Sequence, residues 1–223
     1  AERILIVSPS WVGDMVMAQS LFMRLKVENP ALHLAVLAPA WSEALLARMP
    51  QVDESFIMPV GHKQIQLGVR WTLARRLKKK CFDHAIVLPG SLKSALIPFF
   101  AGIAVRTGFV GEQRYGLLND WRKLDKSALP LNIQRVLVLG SPDNALPEEI
   151  PKPTLSVDVY AQQTARDKFS LPARQPLLAL CPGAEFGPAK QWPAKHFAAV
   201  AREKINQGWR VVLLASEADS EIC

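Results

Sequence analysis

Cysteine is scarce in this chain. Cys81, Cys181 and Cys223 are odd in number and far apart, which excludes a disulfide framework and fits a reducing compartment. No apolar run approaches the roughly 18 residues of a membrane-spanning helix, and the first residues lead into a strand rather than a charged leader with a cleavage site. The cytoplasm is therefore the expected address. Among the four histidines, only His84 lies beside a cysteine, Cys81 in "CFDH", and without a second ligand pair zinc is not expected. The patterns G-x-x-x-x-G-K-[ST] and G-x-G-x-x-G are missing, so neither a phosphate-loop NTPase nor a dinucleotide dehydrogenase is supported. There is no tandem repeat and no low-complexity tract.

What is present is a composition that folds. Over 223 residues, 49% are hydrophobic and 21% charged, the balance of a protein with a real core and room for one large or two small domains. The net charge of +7 favours an anionic partner: nucleic acid, a phosphorylated small molecule or a membrane surface. Much of that charge sits in "RWTLARRLKKK", Arg70 to Lys80. A solvated helix face with its cations at the negative end of the dipole explains this stretch on its own.

Apolar, β-branched runs of strand length alternate with longer segments of helical period, which predicts βαβ units around a parallel sheet. Strands are expected at "RILIVS", "LHLAVLA", "ESFIMP", "HAIVLPG" and "RTGFVG". Helices are expected near 15–28, 42–49, 64–80 and 92–101, with another at 132–140. The proline-rich, acidic stretch "SPDNALPEEIPKPTLSVD" reads as an exposed extended connection. This divides the chain into a first domain at 1–145, a linker at 146–158 and the start of a second domain at 159–223. Beyond the linker come a helix near 159–169, a buried strand "LLALCPG", a helix near 193–207 and a strand "WRVVLLAS". Two strands and one crossover helix cannot cover both faces of a parallel sheet, so the second domain is expected to be incomplete.

Ligands of doubly wound sheets bind outside the carboxyl ends of the strands, and two loops there carry unusual residues. In "SPSWVGDM", Gly13 permits close backbone approach or positive φ, and Asp14 opens the following helix. Asp14 also suits a plain N-cap, worth about 1 kcal/mol, but a cap needs neither Trp11 nor Gly13. In "CPGAEFGPAKQWPAKHF", Gly183 and Gly187 free the backbone, a helix start offers unpaired amides and Lys190 supplies a cation, together a plausible diphosphate cradle. Lys93, Arg106, Arg114 and Arg122 sit near strand ends and suit phosphate or carboxylate groups, although surface ion pairs explain each of them equally well.

These segments, with "SPSWVGDMVMAQSL", "LAPAWSEALLARMPQV", "LPGSLKSALIPFFAGI", "RTGFVGEQRYGLLND" and above all "CPGAEFGPAKQWP", make the sequence resemble the ADP-heptose:lipopolysaccharide heptosyltransferases over nearly its whole length. The resemblance implies an α/β fold of GT-B type, with a Rossmann-like acceptor domain facing a second Rossmann-like domain that takes the nucleotide sugar. It implies inverting transfer of L-glycero-D-manno-heptose from ADP-heptose to the first heptose of the lipopolysaccharide inner core. No cofactor and no obligatory metal are expected.

Asp14 then matches the family's base, and Lys190 its diphosphate-contacting cation. Ser10, Trp11, Gly13, Gly183, Ala184, Glu185 and Lys190 become donor-binding candidates, and Lys93, Arg106 and Arg114 acceptor-binding ones. The implied partners are ADP-heptose, heptosyl-Kdo2-lipid A and, peripherally, the cytoplasmic face of an inner membrane, with no nucleic acid. Family members continue past position 223 and carry there an Asp-[Ser/Thr]-Gly-x-x-His motif completing the nucleotide pocket, so this chain alone is expected to turn over slowly or not at all. A non-catalytic module binding anionic glycolipid or nucleotide is the alternative.

Overall fold

The computed structural model describes residues 2–61, 65–184, 188–216 and 219. It divides into two compact units, Ala1–Ser156 and Val157–Cys223. In the first, strands β1 (Arg3–Val7), β2 (His33–Ala38), β3 (Glu54–Ile57), β4 (His84–Val87), β5 (Val105–Phe109) and β6 (Asp120–Arg122) form one sheet in the order β3-β2-β1-β4-β5-β6. Every pairing is parallel. The helices are α1 (Val12–Glu28), α2 (Glu43–Leu46, entered through a 3-10 turn at Ala40–Ser42), α3 (Leu67–Lys78), α4 (Leu92–Phe100) and α5 (Asn132–Val138).

Side-chain alternation along β1 divides the core in two. Ile4 and Ile6 join Leu34 and Val36 beneath Met15, Ala18, Leu21 and Phe22 of α1. Leu5 and Val7 join Leu37 and Val87 beneath Leu73 and Leu77 of α3 and Ala95 and Ile97 of α4. Helices on both faces are what nearly continuous apolar strands of a parallel sheet require. Among the described residues no helix is long and apolar enough to cross a membrane.

Two features differ from the sequence expectation. The proline-rich stretch is fastened to the first unit along much of its length. The fully buried Gln19 side chain donates to Thr154 O (2.7 Å) and accepts from Thr154 N (2.9 Å), Ser20 Oγ donates to Pro151 O (2.6 Å), and Ser156 N donates to Arg48 O (2.8 Å). A segment that pairs its backbone this way is part of the fold.

The sheet also gains β6, unannounced because it is three residues long with two charged side chains. A polar relay holds it. Thr107 Oγ1 donates to Asp120 Oδ2 (2.6 Å), which leaves the threonine oxygen to accept from His84 Nε2 (2.7 Å), and Arg122 Nη2 reaches the same carboxylate (3.0 Å).

Burial lowers the His84 pKa below 6.5, outweighing the nearby Asp120 and Glu2. Burial alone would raise that of Asp120, but the Thr107 and Arg122 hydrogen bonds hold it below the usual carboxylate range. In both cases the unfolded chain takes up a proton at a higher pH than the fold does, so stability falls on acidification. His84 contributes fully above about pH 6.5, and its contribution is lost as pH falls from there towards its lowered native value. Asp120 acts in a later, more acidic window. We expect the urea midpoint to begin falling below about pH 6.5 and His84→Gln, which keeps a donor for Thr107, to remove that first phase.

The second unit holds α6 (Val159–Lys168), β7 (Leu177–Leu180), a 3-10 turn at Pro188–Lys190, α7 (Ala194–Asn206) and β8 (Arg210–Leu213), with β7 and β8 paired in parallel. Asp158 caps α6, accepting from Tyr160 N and Ala161 N. The strand read as buried, β7, is half-exposed, as is β8. Among the described residues this two-stranded sheet has one crossover helix and no second covering layer that would bury it.

Candidate active site

The strand order reverses direction between β1 and β4, and at such a switch point the loops leaving the two strands diverge and open a crevice. A cleft of about 1150 Å³ occupies this place in the first unit, lined among others by Ser10, Trp11, Asp14, Trp41, Arg70 and Lys93. Its walls are the segments following the carboxyl ends of β1 through β5, joined by Leu124 and by Asn132, Arg135 and Val136 of α5.

Asp14 stands on the cleft wall as the third residue of α1, not its N-cap. The helix begins at Val12, earlier than the expected 15, with Trp11 in the cap position and no side-chain cap hydrogen bond. The cap explanation for Asp14 therefore falls away. Its carboxylate has no hydrogen bond or ion pair among the described residues. Gly13 is helical rather than left-handed, and a Cβ there would meet nothing within 4 Å, so neither φ nor internal packing calls for glycine at this position.

Of the expected acceptor-binding cations, only Lys93 lines the cleft. It is the second residue of α4, and its ammonium group has no partner among the described residues. Arg106 belongs to the framework instead. It lies near the amino end of β5, the sheet edge opposite the cleft, and its guanidinium donates to Leu117 O (2.7 Å) and Ile103 O (2.5 Å). Arg114 is 1% exposed and donates to Phe109 O, Pro89 O (2.6 Å), Ser91 O (3.1 Å) and Ser94 Oγ (3.1 Å). Arg122 is buried likewise, bonded to Val138 O and Ser141 O. Strand direction explains Arg106, because in a parallel sheet only the carboxyl end faces the ligand. Arg114 and Arg122 lie beyond or at the carboxyl ends of β5 and β6 but turn their guanidinium groups onto framework carbonyls.

Among the cleft residues that escaped the sequence reading, three stand out. Arg70 is buried, its Nη1 donating to Lys93 O (3.0 Å) and its Nε to Ile65 O (2.5 Å), and desolvation lowers its pKa. Glu112 accepts from Leu92 N (2.7 Å), supplying the start of α4 with the hydrogen bond that the N-cap Ser91 side chain does not make. Trp41 is half-exposed on the cleft wall. Its position directly after β2 was the available signal, because every strand of such a sheet delivers its following loop to the same edge.

In the second unit, Gly183, Ala184 and Lys190 lie on the loop leaving β7 towards α7, again at a carboxyl strand end. A Cβ on Gly183 would meet the carboxylate of Asp219, a side-chain end that can move aside, so close approach favours glycine here without demanding it. Glu185 and Gly187 lie outside the described residues. Among the described residues no group of three His, Cys, Asp or Glu is placed to hold a metal ion.

This cleft belongs to a fold with close relatives. "Lipopolysaccharide heptosyltransferase 2" of Salmonella typhimurium is 48% identical over 98% of this chain and 65% of its own length. The Escherichia coli protein of the same name is 47% identical over the same shares. The structure of E. coli ADP-heptose lps heptosyltransferase II superposes with a TM-score of 0.90 at 44% identity, covering 99% of this chain and 66% of that one. The chain thus spans about 65% of the length of the curated relatives it matches, and its α/β fold is of the GT-B type. The sequence profile of glycosyltransferase family 9 (heptosyltransferase) matches residues 70–223, more than half of the chain. The chain belongs to glycosyltransferase family 9, the heptosyltransferase family.

Proposed function

We propose that the protein to which this chain belongs transfers L-glycero-D-manno-heptose from ADP-heptose to the first heptose of the lipopolysaccharide inner core, with inversion. It would do so at the cytoplasmic face of the inner membrane, in peripheral contact with it. The observation that carries this reading is the Asp14 carboxylate, unpartnered among the described residues on the wall of the switch-point cleft, in a chain 44% identical to a heptosyltransferase II structure.

In the proposed reaction the acceptor hydroxyl attacks the anomeric carbon while its proton passes to Asp14. The bond from that carbon to the diphosphate oxygen breaks, and ADP departs with the electron pair. A carboxylate that spends no hydrogen bond within its own fold is available to take the proton. Negative charge grows on the leaving diphosphate, and Lys190 with the amides of the loop leaving β7 answers it. Ser10 and Trp11 shape the pocket around the base, and Lys93 offers its ammonium group to an anionic acceptor. ADP-heptose serves as substrate, with neither metal nor cofactor required.

The test is transfer from ADP-heptose to heptosyl-Kdo2-lipid A, measured with this chain and with a polypeptide carried to the relatives' full length. Absence of transfer by the longer protein would overturn the proposal. In that longer protein, Lys190→Ala removes one charge-assisted hydrogen bond to phosphate, of about 1.5–3 kcal/mol. We expect donor kcat/KM to fall roughly 10- to 100-fold with acceptor KM unchanged.

A further inference from the structure

Charge in this chain is segregated to a degree the cleft does not explain. Between Ser55 and Gly111 the sequence holds nine Lys or Arg and a single acid, Asp83. About a quarter of the chain thus carries more than the whole net charge of +7. Three of the nine are spent inside the fold or on a partner: Arg70 and Arg106 on carbonyls, and Lys80 on Glu54 at 2.6 Å. Arg75, Arg76, Lys78 and Lys79, around the end of α3, are exposed and have no ion pair among the described residues.

Beside these cations lies an apolar strip. Arg70, Leu73, Ala74 and Leu77 turn α3 onto its core face, and at helical spacing Leu67 and Trp71 fall on the adjoining flank. Leu67 is 55% and Trp71 51% exposed. The Trp71 ring meets Phe100 of α4 edge-on at 5.3 Å, and Phe100 meets Phe99, which is 42% exposed, at 5.8 Å. Tryptophan, phenylalanine and leucine in one strip, flanked by cations with no acid between, match the interface of an anionic bilayer, where rings sit at headgroup depth and cations meet lipid phosphates. Such a face repels a second copy of itself, which argues against a dimer seated there.

We infer that the α3–α4 face, with Trp71, Leu67 and Phe99 inserting and Arg75, Arg76, Lys78 and Lys79 on headgroup phosphates, is the surface by which this protein docks on an anionic membrane. The inference rests on the proposed peripheral membrane contact and assigns that contact a place. Arg70 belongs to the cleft lining and Trp71 to the docking strip, so a docked molecule holds its cleft close to a lipid-anchored acceptor.

Co-sedimentation with vesicles tests this, using phosphatidylcholine alone and phosphatidylcholine mixed with phosphatidylglycerol. The 223-residue chain should sediment with the mixed vesicles and not with the neutral ones, and added salt should release it. Changing Arg75, Arg76, Lys78 and Lys79 together to glutamine, a good helix former, should weaken binding about tenfold or more. Trp71→Ser should weaken it severalfold while leaving the circular dichroism spectrum unchanged. Equal binding to both vesicle types, or binding by the quadruple variant equal to the parent's, overturns the inference. So does self-association without lipid that Trp71→Ser abolishes, which would assign the face to a second copy. The vesicles contain no sugar, so the result stands apart from the transfer reaction. Asp14→Asn should bind them like the parent, and failure of the unsubstituted protein to sediment with the mixed vesicles while it still transfers to a soluble acceptor would sink the docking face alone.

Discussion

Asp14→Asn in the full-length protein is expected to lower kcat for heptose transfer by roughly a thousandfold, within the 10²–10⁴ range of general-base contributions, with the donor KM almost unchanged. The substitution keeps size and hydrogen-bonding reach while removing the only group proposed to accept the hydroxyl proton. The fold should barely notice, because Asp14 makes no cap hydrogen bond and has no partner among the described residues. What the helix loses is its one first-turn acid, worth about 0.3–1 kcal/mol against the dipole. Thermal unfolding and single-turnover transfer, measured together, separate the two effects. A variant that unfolds like the parent and still transfers at close to the parental rate would show that another group, or solvent, carries the proton.

The framework around Asp14 was legible because apolar strands of a doubly wound sheet announce themselves. "RILIV", "HLAVLA" and "HAIV" have no other use than a core with helices on both sides, and β1, β2 and β4 fall there. The loops at their carboxyl ends follow from the same rule, which is why "SPSWVGDM" was readable as a candidate site loop, whereas the place of "LPGSLK" on the wall of the same cleft is shown by the structure. Polar side chains turned inward were not legible. Gln19 and Ser20 occupy the buried side of α1 and receive the 151–156 stretch, a pairing 131 to 135 residues distant that no local pattern reports. Arg106 and Arg114 failed differently. A sequence shows that an arginine is near a strand, but the strand's direction decides whether it meets ligand or framework, and a loop's backbone decides whether it turns in. Glu112 and Gln113 both adopt positive φ, which folds "GEQRYG" back on itself and carries Arg114 under the neighbouring loop. Non-glycine residues in that conformation leave little trace in sequence.

That inward turn sets up the second large effect. Burial pushes the Arg114 pKa down to about 10, so holding the charge there is costly, and what offsets the cost is geometric. One rigid fork spans two loops, taking Phe109 O on one side and Pro89 O, Ser91 O and Ser94 Oγ on the other. Arg114→Met fills much of the space but withdraws every donor of the fork, so that Phe109 O loses its side-chain partner and Pro89 O and Ser91 O keep only Ser94. Each buried group left short of a partner costs about 1–3 kcal/mol. We expect a loss of about 3 kcal/mol in all, the size that marks a broken buried network, and a fall in Tm of roughly 6–12 °C for a unit of this length. Arg114→Lys should recover only part of it, because a single ammonium group cannot reach both loops. The consequence for activity follows from which loop is released. Pro89, Gly90, Ser91 and Lys93 line the cleft and Asp14 stands on a different segment. Below the variant's melting range, the damage should therefore appear as a raised acceptor KM, up to about 100-fold for a displacement of 1 Å, with kcat at saturating acceptor much less affected. A uniform loss of active molecules would instead lower kcat and leave KM alone, and that pattern would reduce Arg114 to a stabilising residue with no part in positioning the cleft wall.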